Sequence, residues 1–149
     1  MLKHIPSILT PDALHALASM GHGDDVAIVD ANFPAARLAA ASGARLVDLA
    51  GVDAPTALRA VLRLLPVDDF VADPLRTMQV VGDVSAVPPP VTEFKAVLMA
   101  AGEEPPVGLE RHAFYQQASA AFLILRTGEQ RKYGNILLRK GVVAEDVND

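Results

Sequence analysis

Apolar positions along the chain change their period several times, and each change predicts an element. Between Thr10 and Gly21, the residues Ala13, Leu14, Leu17 and Met20 fall at helical spacing. Thr10 suits the N-cap, Pro11 the first helical position and Asp12 the positive end, while Gly21 is placed to close the helix with a left-handed turn. The run VAIV, residues 26–29, is apolar throughout and bounded by charge, the pattern of a strand covered on both faces. A second strand is predicted in GARLVDL, residues 43–49. From about Asp53 a helix follows, with Leu58, Val61, Leu62 and Leu65 at helical spacing until Pro66 stops it. TMQVVG, residues 77–82, reads as a strand. Pro88 to Pro90 then lead into a helix with Val91, Phe94, Val97, Leu98 and Ala101 on one face, closed by Gly102. The last third predicts a short helix around Phe114, Ala118 and Ala121, a strand FLILR at 122–126, a turn TGEQRK and a strand NILL at 135–138.

Strands alternating with amphipathic helices imply an α/β domain with a parallel or mixed sheet flanked by helices. A chain of 149 residues holds one such core, expected over residues 1–141, with a polar C-terminal tail at 142–149. In open α/β sheets ligands gather beyond the carboxyl ends of strands, which is where Asp30 follows VAIV. A positive mean hydropathy of +0.27 in so small a chain implies apolar surface shared between subunits, hence a homo-oligomer. The net charge of -5 argues against nucleic acid as a partner, since phosphate-backbone binding needs clustered Lys and Arg and only RKYGNILLRK is locally basic. Without cysteine there is no thiolate nucleophile, disulfide or cysteine metal site. No run approaches the ~18 apolar residues of a membrane span, and the charged, proline-containing start does not read as a signal segment. A cytoplasmic protein with no membrane partner is expected.

The stretch MGHGDD, residues 20–25, concentrates the candidate chemistry of the N-terminal half. Its Gly-x-Gly follows a helix and precedes a strand, the reverse of nucleotide fingerprints, and it lacks the third glycine and the P-loop lysine. His22, Asp24, Asp25 and Asp30 offer nitrogen and oxygen ligands, but no paired-ligand spacing accompanies them, so no metal is assigned. A plain structural reading makes Gly21 the left-handed residue, Asp24 and Asp25 solvated, and His22 a partner of the helix's negative end. A chemical reading pairs His22 with Asp30 as an acid–base site, because imidazole exchanges protons near neutrality without a cofactor. Further on, Tyr133 offers a phenol and an aromatic face, Gly134 close backbone approach, and Asn135 donors and an acceptor, which suits a polyhydroxylated ligand and equally suits a turn into a strand. Arg111 either forks onto ligand hydroxyls or pairs on the surface with Glu110.

Taken in order, MGHGDDVAIVDANFPA, RHAFY, AFLILRTGE and KYGNILLRKG resemble the sugar mutarotase family that includes L-fucose mutarotase and D-ribose pyranase, and the fucose branch more closely. The resemblance runs from LTPDAL almost to Gly141. It implies a cofactor-free, ring-forming α/β protein, often a decamer of two stacked pentameric rings, that interconverts the anomers of a free monosaccharide. It further implies that His22 is the acid–base residue, that Asp30 binds sugar, and that Tyr133, Gly134 and Asn135 close the pocket across a subunit boundary. Arg111 matches an arginine of the fucose type, where the ribose type carries histidine. The fucose-type pattern reads DAHFP where this chain has Asn32 in DANFP; asparagine hydrogen-bonds but does not titrate near neutrality, so it supplies no second acid–base group. The competing functions are pyranose–furanose exchange of the D-ribose pyranase type and a non-catalytic sugar-binding module.

Overall fold

The computed structural model describes residues 1–145, so the last four residues of the expected polar tail lie outside the described residues. Helix α1, Pro11–Ser19, starts as its sequence predicts: the Thr10 hydroxyl accepts the Ala13 N–H at 3.2 Å. It ends earlier than expected. Met20 is already extended, and the left-handed residue of the turn is Gly23, at φ +85°, rather than Gly21. Strand β1, Asp25–Val29, is buried on both faces.

Two elements were not foreseen. Helix α2, Ala35–Ser42, is short and alanine-rich and starts after Pro34 with no side-chain cap to mark it, and Gly43, expected in a strand, closes it at φ +77°. Strand β2, Arg45–Leu49, and helix α3, Ala54–Leu62, follow, the latter capped by Asp53, whose carboxylate accepts the Thr56 N–H at 2.8 Å. Strand β3, Leu75–Met78, lies two residues earlier than TMQVVG suggested, because beyond Met78 only Gln79 keeps pairing, through its N–H to the Leu109 carbonyl. Helix α4, Pro89–Ala100, closes at Gly102, φ +79°. The unforeseen three-residue strand β4, Val107–Leu109, follows Pro105 and Pro106 and carries Gly108, a sequence that hides a strand. Helix α5, Arg111–Ser119, and strands β5, Leu123–Thr127, and β6, Ile136–Arg139, complete the described chain.

Among the described residues these elements form one six-stranded mixed sheet of order β2-β5-β1-β6-β3-β4. β6 runs antiparallel to both neighbours, β1 and β3, whereas β1–β5, β2–β5 and β3–β4 are parallel. Alternation divides the core by face. Val26, Ile28, Leu123, Leu125, Ile136 and Leu138 pack under α1, α3 and α4, while Ala27, Val29, Ile124 and Leu137 pack under α2 and α5. The carboxyl ends of β1, β3 and β5 therefore open at the same rim as the amino end of β6. No helix among the described residues is long and apolar enough to cross a membrane.

Candidate functional site

Asp30 leaves the sheet where β1 ends, and it is held there from both sides. Its N–H donates to Oδ1 of Asn135 at 2.9 Å, and its own Oδ1 accepts the Asn32 N–H at 3.0 Å. The residue is 4% exposed, and burial raises the proton affinity of its carboxyl above the ordinary range, against the opposing pull of hydrogen bonds from Asn32, Asn135, Phe33 and Gly134. A buried carboxyl at a strand end, aimed at a cleft, is a group available to ligand hydroxyls.

The connection from β5 to β6 supplies the opposite wall. The Thr127 hydroxyl donates to the Val29 carbonyl at 2.8 Å, and the Ala31 N–H donates to the Glu129 carbonyl at 2.8 Å, tying this loop to the end of β1. Glu129, 3% exposed, is gripped by Arg131 at 2.9 Å on each carboxylate oxygen. That pair turns the chain into Tyr133, which sits at φ +62°, a conformation costing a non-glycine residue about 1–2 kcal/mol. The strain presents the phenol to the cleft: its oxygen accepts the Val81 N–H at 3.1 Å, leaving its own proton free to donate. Gly134 follows where a Cβ would stand 2.6 Å from Cγ of Glu129, so close approach dictates glycine.

Between these walls lies a cleft of about 220 Å³. Asp30, Asn32, Arg111, Lys132 and Asn135 give it a polar side, and Phe33, Met78, Val81 and Tyr115 an apolar one, with Tyr133 between. Arg111 gets there as the first residue of α5, whose start is fixed by Glu110 accepting the His112 and Ala113 N–H groups at 2.9 and 3.2 Å. Directional donors and acceptors facing an apolar wall match a small molecule with hydroxyls on one side and C–H groups on the other. Asp30, Arg111, Tyr133, Gly134 and Asn135 are thus brought together by a single chain, so Tyr133–Asn135 do not depend on a neighbour to reach Asp30. Phe33, Met78, Val81, Tyr115 and Lys132 also line the cleft, and the sequence singled out none of them as site residues.

His22 is elsewhere. It precedes β1 and Asp30 follows it, so the five-residue strand, rising ~3.3 Å per residue, sets them at opposite rims of the sheet. Instead of meeting the end of α1, its Nε2 lies 3.0 Å from Oδ1 of Asp68, and its ring meets that of Phe70 at 4.8 Å between centroids. Nothing in the sequence signalled Asp68. The other acids of MGHGDD are also committed: Asp24 accepts the Gly21 N–H at 2.7 Å, and Asp25 accepts from Arg76 at 2.8 Å and Arg139 at 3.3 Å. His22, Asp24, Asp25 and Asp30 do not converge as a ligand set.

A family model described as the RbsD / FucU transport protein family matches residues 3–143. The chain belongs to this family. The chain is 41% identical over 147 residues to the fucose mutarotase of Bos taurus, covering 97% of this chain and 95% of that one. The fucose mutarotase of Streptococcus pneumoniae, solved in complex with L-fucose, superposes with a TM-score of 0.87 at 37% identity, covering 96% of this chain and all of the other. RbsD of Bacillus subtilis, solved with D-ribose, superposes at 0.72 with 21% identity over 97% of this chain, a likeness of fold. The resemblance read from the motifs, and the single-domain α/β architecture it implied, are both borne out.

Proposed function

We propose that this protein is a fucose mutarotase, a cofactor-independent isomerase that interconverts the α and β anomers of a free monosaccharide of the L-fucose type. The observation that carries the reading is the cleft. A buried carboxyl, an arginine and an asparagine face an apolar wall in a space sized for one sugar, in a chain about 40% identical over nearly its whole length to proteins named for that activity.

A cyclic hemiacetal opens when the anomeric O–H gives up its proton, the electron pair of the bond between the anomeric carbon and the ring oxygen moves to that oxygen, and the oxygen gains a proton. Rotation and closure on the other carbonyl face return both protons. Asp30, Arg111 and Asn135 hold hydroxyls, Tyr133 borders the ring and offers a proton, and His22 serves as acid and base. General acid–base catalysis contributes ~10²–10⁴-fold, sufficient for a reaction that already proceeds in water. A site that uses both His22 and Asp30 takes one from each of two copies, joined head to tail. Exposed apolar residues stand at both ends for such a contact: Phe70 (72% exposed) against His22, and Val81 (59%) on the cleft. Head-to-tail contacts of this kind can close into rings, and the family resemblance makes that ring a pentamer stacked in pairs as a decamer.

Magnetisation-exchange NMR of L-fucose with catalytic amounts of protein tests the reading. Wild type accelerates exchange, whereas His22→Gln and Asp30→Asn each abolish most of it. Reassembling the two inactive variants together restores part of the activity, because some sites then receive His22 from one copy and Asp30 from the other. Undiminished exchange by assembled His22→Gln removes His22 as the acid–base group. Sugar binding without exchange in wild type leaves the non-catalytic module.

A further inference from the structure

Arg76 is a buried cation with incomplete pairing. It is the second residue of β3, and alternation puts its side chain on the α5 side of the sheet, the side that Met78 faces. The side chain is 5% exposed, and its Nη2 donates to Oδ1 of Asp25 at 2.8 Å. That carboxylate is shared. Arg139, the last residue of β6, donates to the same Oδ1 from Nε at 3.3 Å and to Oδ2 from Nη2 at 3.4 Å. Two guanidiniums thus divide one carboxylate, and Nε of Arg76 has no hydrogen-bond partner among the described residues. Burial pulls the proton affinity of Arg76 below the usual arginine range; Asp25 opposes that pull, the Arg139 charge adds to it, and Asp73 opposes it more weakly.

Arg76 and Arg139 both line a cavity of about 310 Å³ at the rim where β3 and β4 begin and β6 ends, the rim opposite the candidate site. Val71, Val107 and Leu109 give it an apolar wall, and Gln117 of α5 adds an amide. Asp73 stands in the same lining, but it is exposed, and both guanidiniums pair with Asp25 instead.

We propose that this cavity binds a small organic monocarboxylate, its oxygens held by Arg76 and Arg139 and its hydrocarbon part laid against Val71, Val107 and Leu109. The charge balance selects the ligand. Arg76 and Arg139 carry two positive charges against the single negative charge of Asp25, so one further negative charge completes the set. A phosphate dianion would exceed it, beside both Asp25 and Asp73. A carboxylate also matches the planar N–H fork of a guanidinium, and a buried guanidinium holds it with less competition from water than a solvated one. Gln117 supplies a neutral donor for the second oxygen. The cavity shares no lining residue with the sugar cleft, so the inference stands whichever sugar the cleft accepts.

Isothermal titration of the full chain with butyrate tests this, with butyramide as the uncharged probe of the same shape and inorganic phosphate as the more highly charged one. Butyrate binds with a Kd on the order of millimolar. Butyramide binds at least about tenfold more weakly, the loss expected when a hydrogen bond to charge becomes a neutral one, and phosphate also binds more weakly than butyrate. Two variants test the charge balance. Arg139→Gln leaves Arg76 balanced by Asp25 and weakens butyrate by about tenfold. Asp73→Asn alters an exposed side chain that pairs with neither guanidinium, so the fold is kept; it removes a like charge from the lining and tightens butyrate several-fold, the opposite of what damage to a site does. Butyramide binding as well as butyrate, phosphate binding more tightly, or no butyrate binding by wild type at about 0.1 M overturns the inference. An unchanged Kd in Asp73→Asn also overturns it, whether or not Arg139→Gln folds.

Discussion

Replacing Gly134 with alanine tests how closely the cleft depends on backbone approach. The added methyl would stand 2.6 Å from Cγ of Glu129, 3.4 Å from Cβ of Asp30 and 3.5 Å from the Arg131 carbonyl oxygen. Gly134 lies outside the left-handed region, so the cost is steric. Glu129 cannot swing aside: it is 3% exposed and Arg131 holds both of its carboxylate oxygens. Overpacking of this kind costs about 1–3 kcal/mol. For a chain of this size that corresponds to a fall of about 2–12 °C in Tm. Activity suffers more, because the displaced atoms belong to the loop that carries Tyr133 and Asn135 and to Asp30 itself. A misplacement near 1 Å is worth about 10²-fold in rate. Differential scanning calorimetry and anomer-exchange NMR on the same preparation read both quantities. A Gly134→Ala protein with wild-type Tm and wild-type exchange would show that the cleft has slack here and refute the argument.

The remaining predictions use the same two assays. Arg111→His removes donors from the polar side of the cleft, so L-fucose exchange falls by about 10- to 150-fold, the equivalent of a charged hydrogen bond, and by more than D-ribose exchange does; equal losses defeat Arg111 as a determinant of sugar choice. Asp25→Ala leaves Arg76, 4% exposed, without its carboxylate and lowers stability by about 3–5 kcal/mol, read as a shifted urea midpoint; a loss below about 1 kcal/mol shows that the pair is solvated. Asp30→Asn loses exchange but stabilises the fold at neutral pH. The folded carboxyl has a raised proton affinity, so its ionised form costs stability above the folded pKa and that cost disappears as pH falls toward the ordinary carboxyl range; a gap between variant and wild type that widens on acidification has the wrong sign.

What the sequence disclosed about the site follows from which interactions leave a periodic or compositional trace. VAIV placed Asp30 at the end of a doubly covered strand, and the loop chemistry of Tyr133, Gly134 and Asn135 marked the opposite wall, because a strained turn and a close approach need particular residue types. Helix α2 and strand β4 left weaker traces, since an alanine-rich helix of eight residues that begins without a capping side chain carries no start signal and a three-residue edge strand barely alternates. Asp68 left none. It meets His22 across 46 residues of chain, through a loop whose only order is its attachment to the end of β6.

The reading of His22 and Asp30 as neighbours failed for a reason that generalises. Eight positions apart along a helix or across a turn, two side chains can share a cleft, but a five-residue strand between them sets them at opposite rims of the sheet. That failure gives the strongest argument about assembly. If one chain could bring its histidine to its own carboxyl, a monomer would suffice; because β1 forbids it, any site using both residues must join the amino end of β1 in one copy to the carboxyl end of β1 in the next. Such a contact uses different surfaces on its two sides and repeats around a closed circle or along an open fibre. On the proposed function, a discrete assembly of this design needs a rotation that closes, and its active sites would number the same as its subunits.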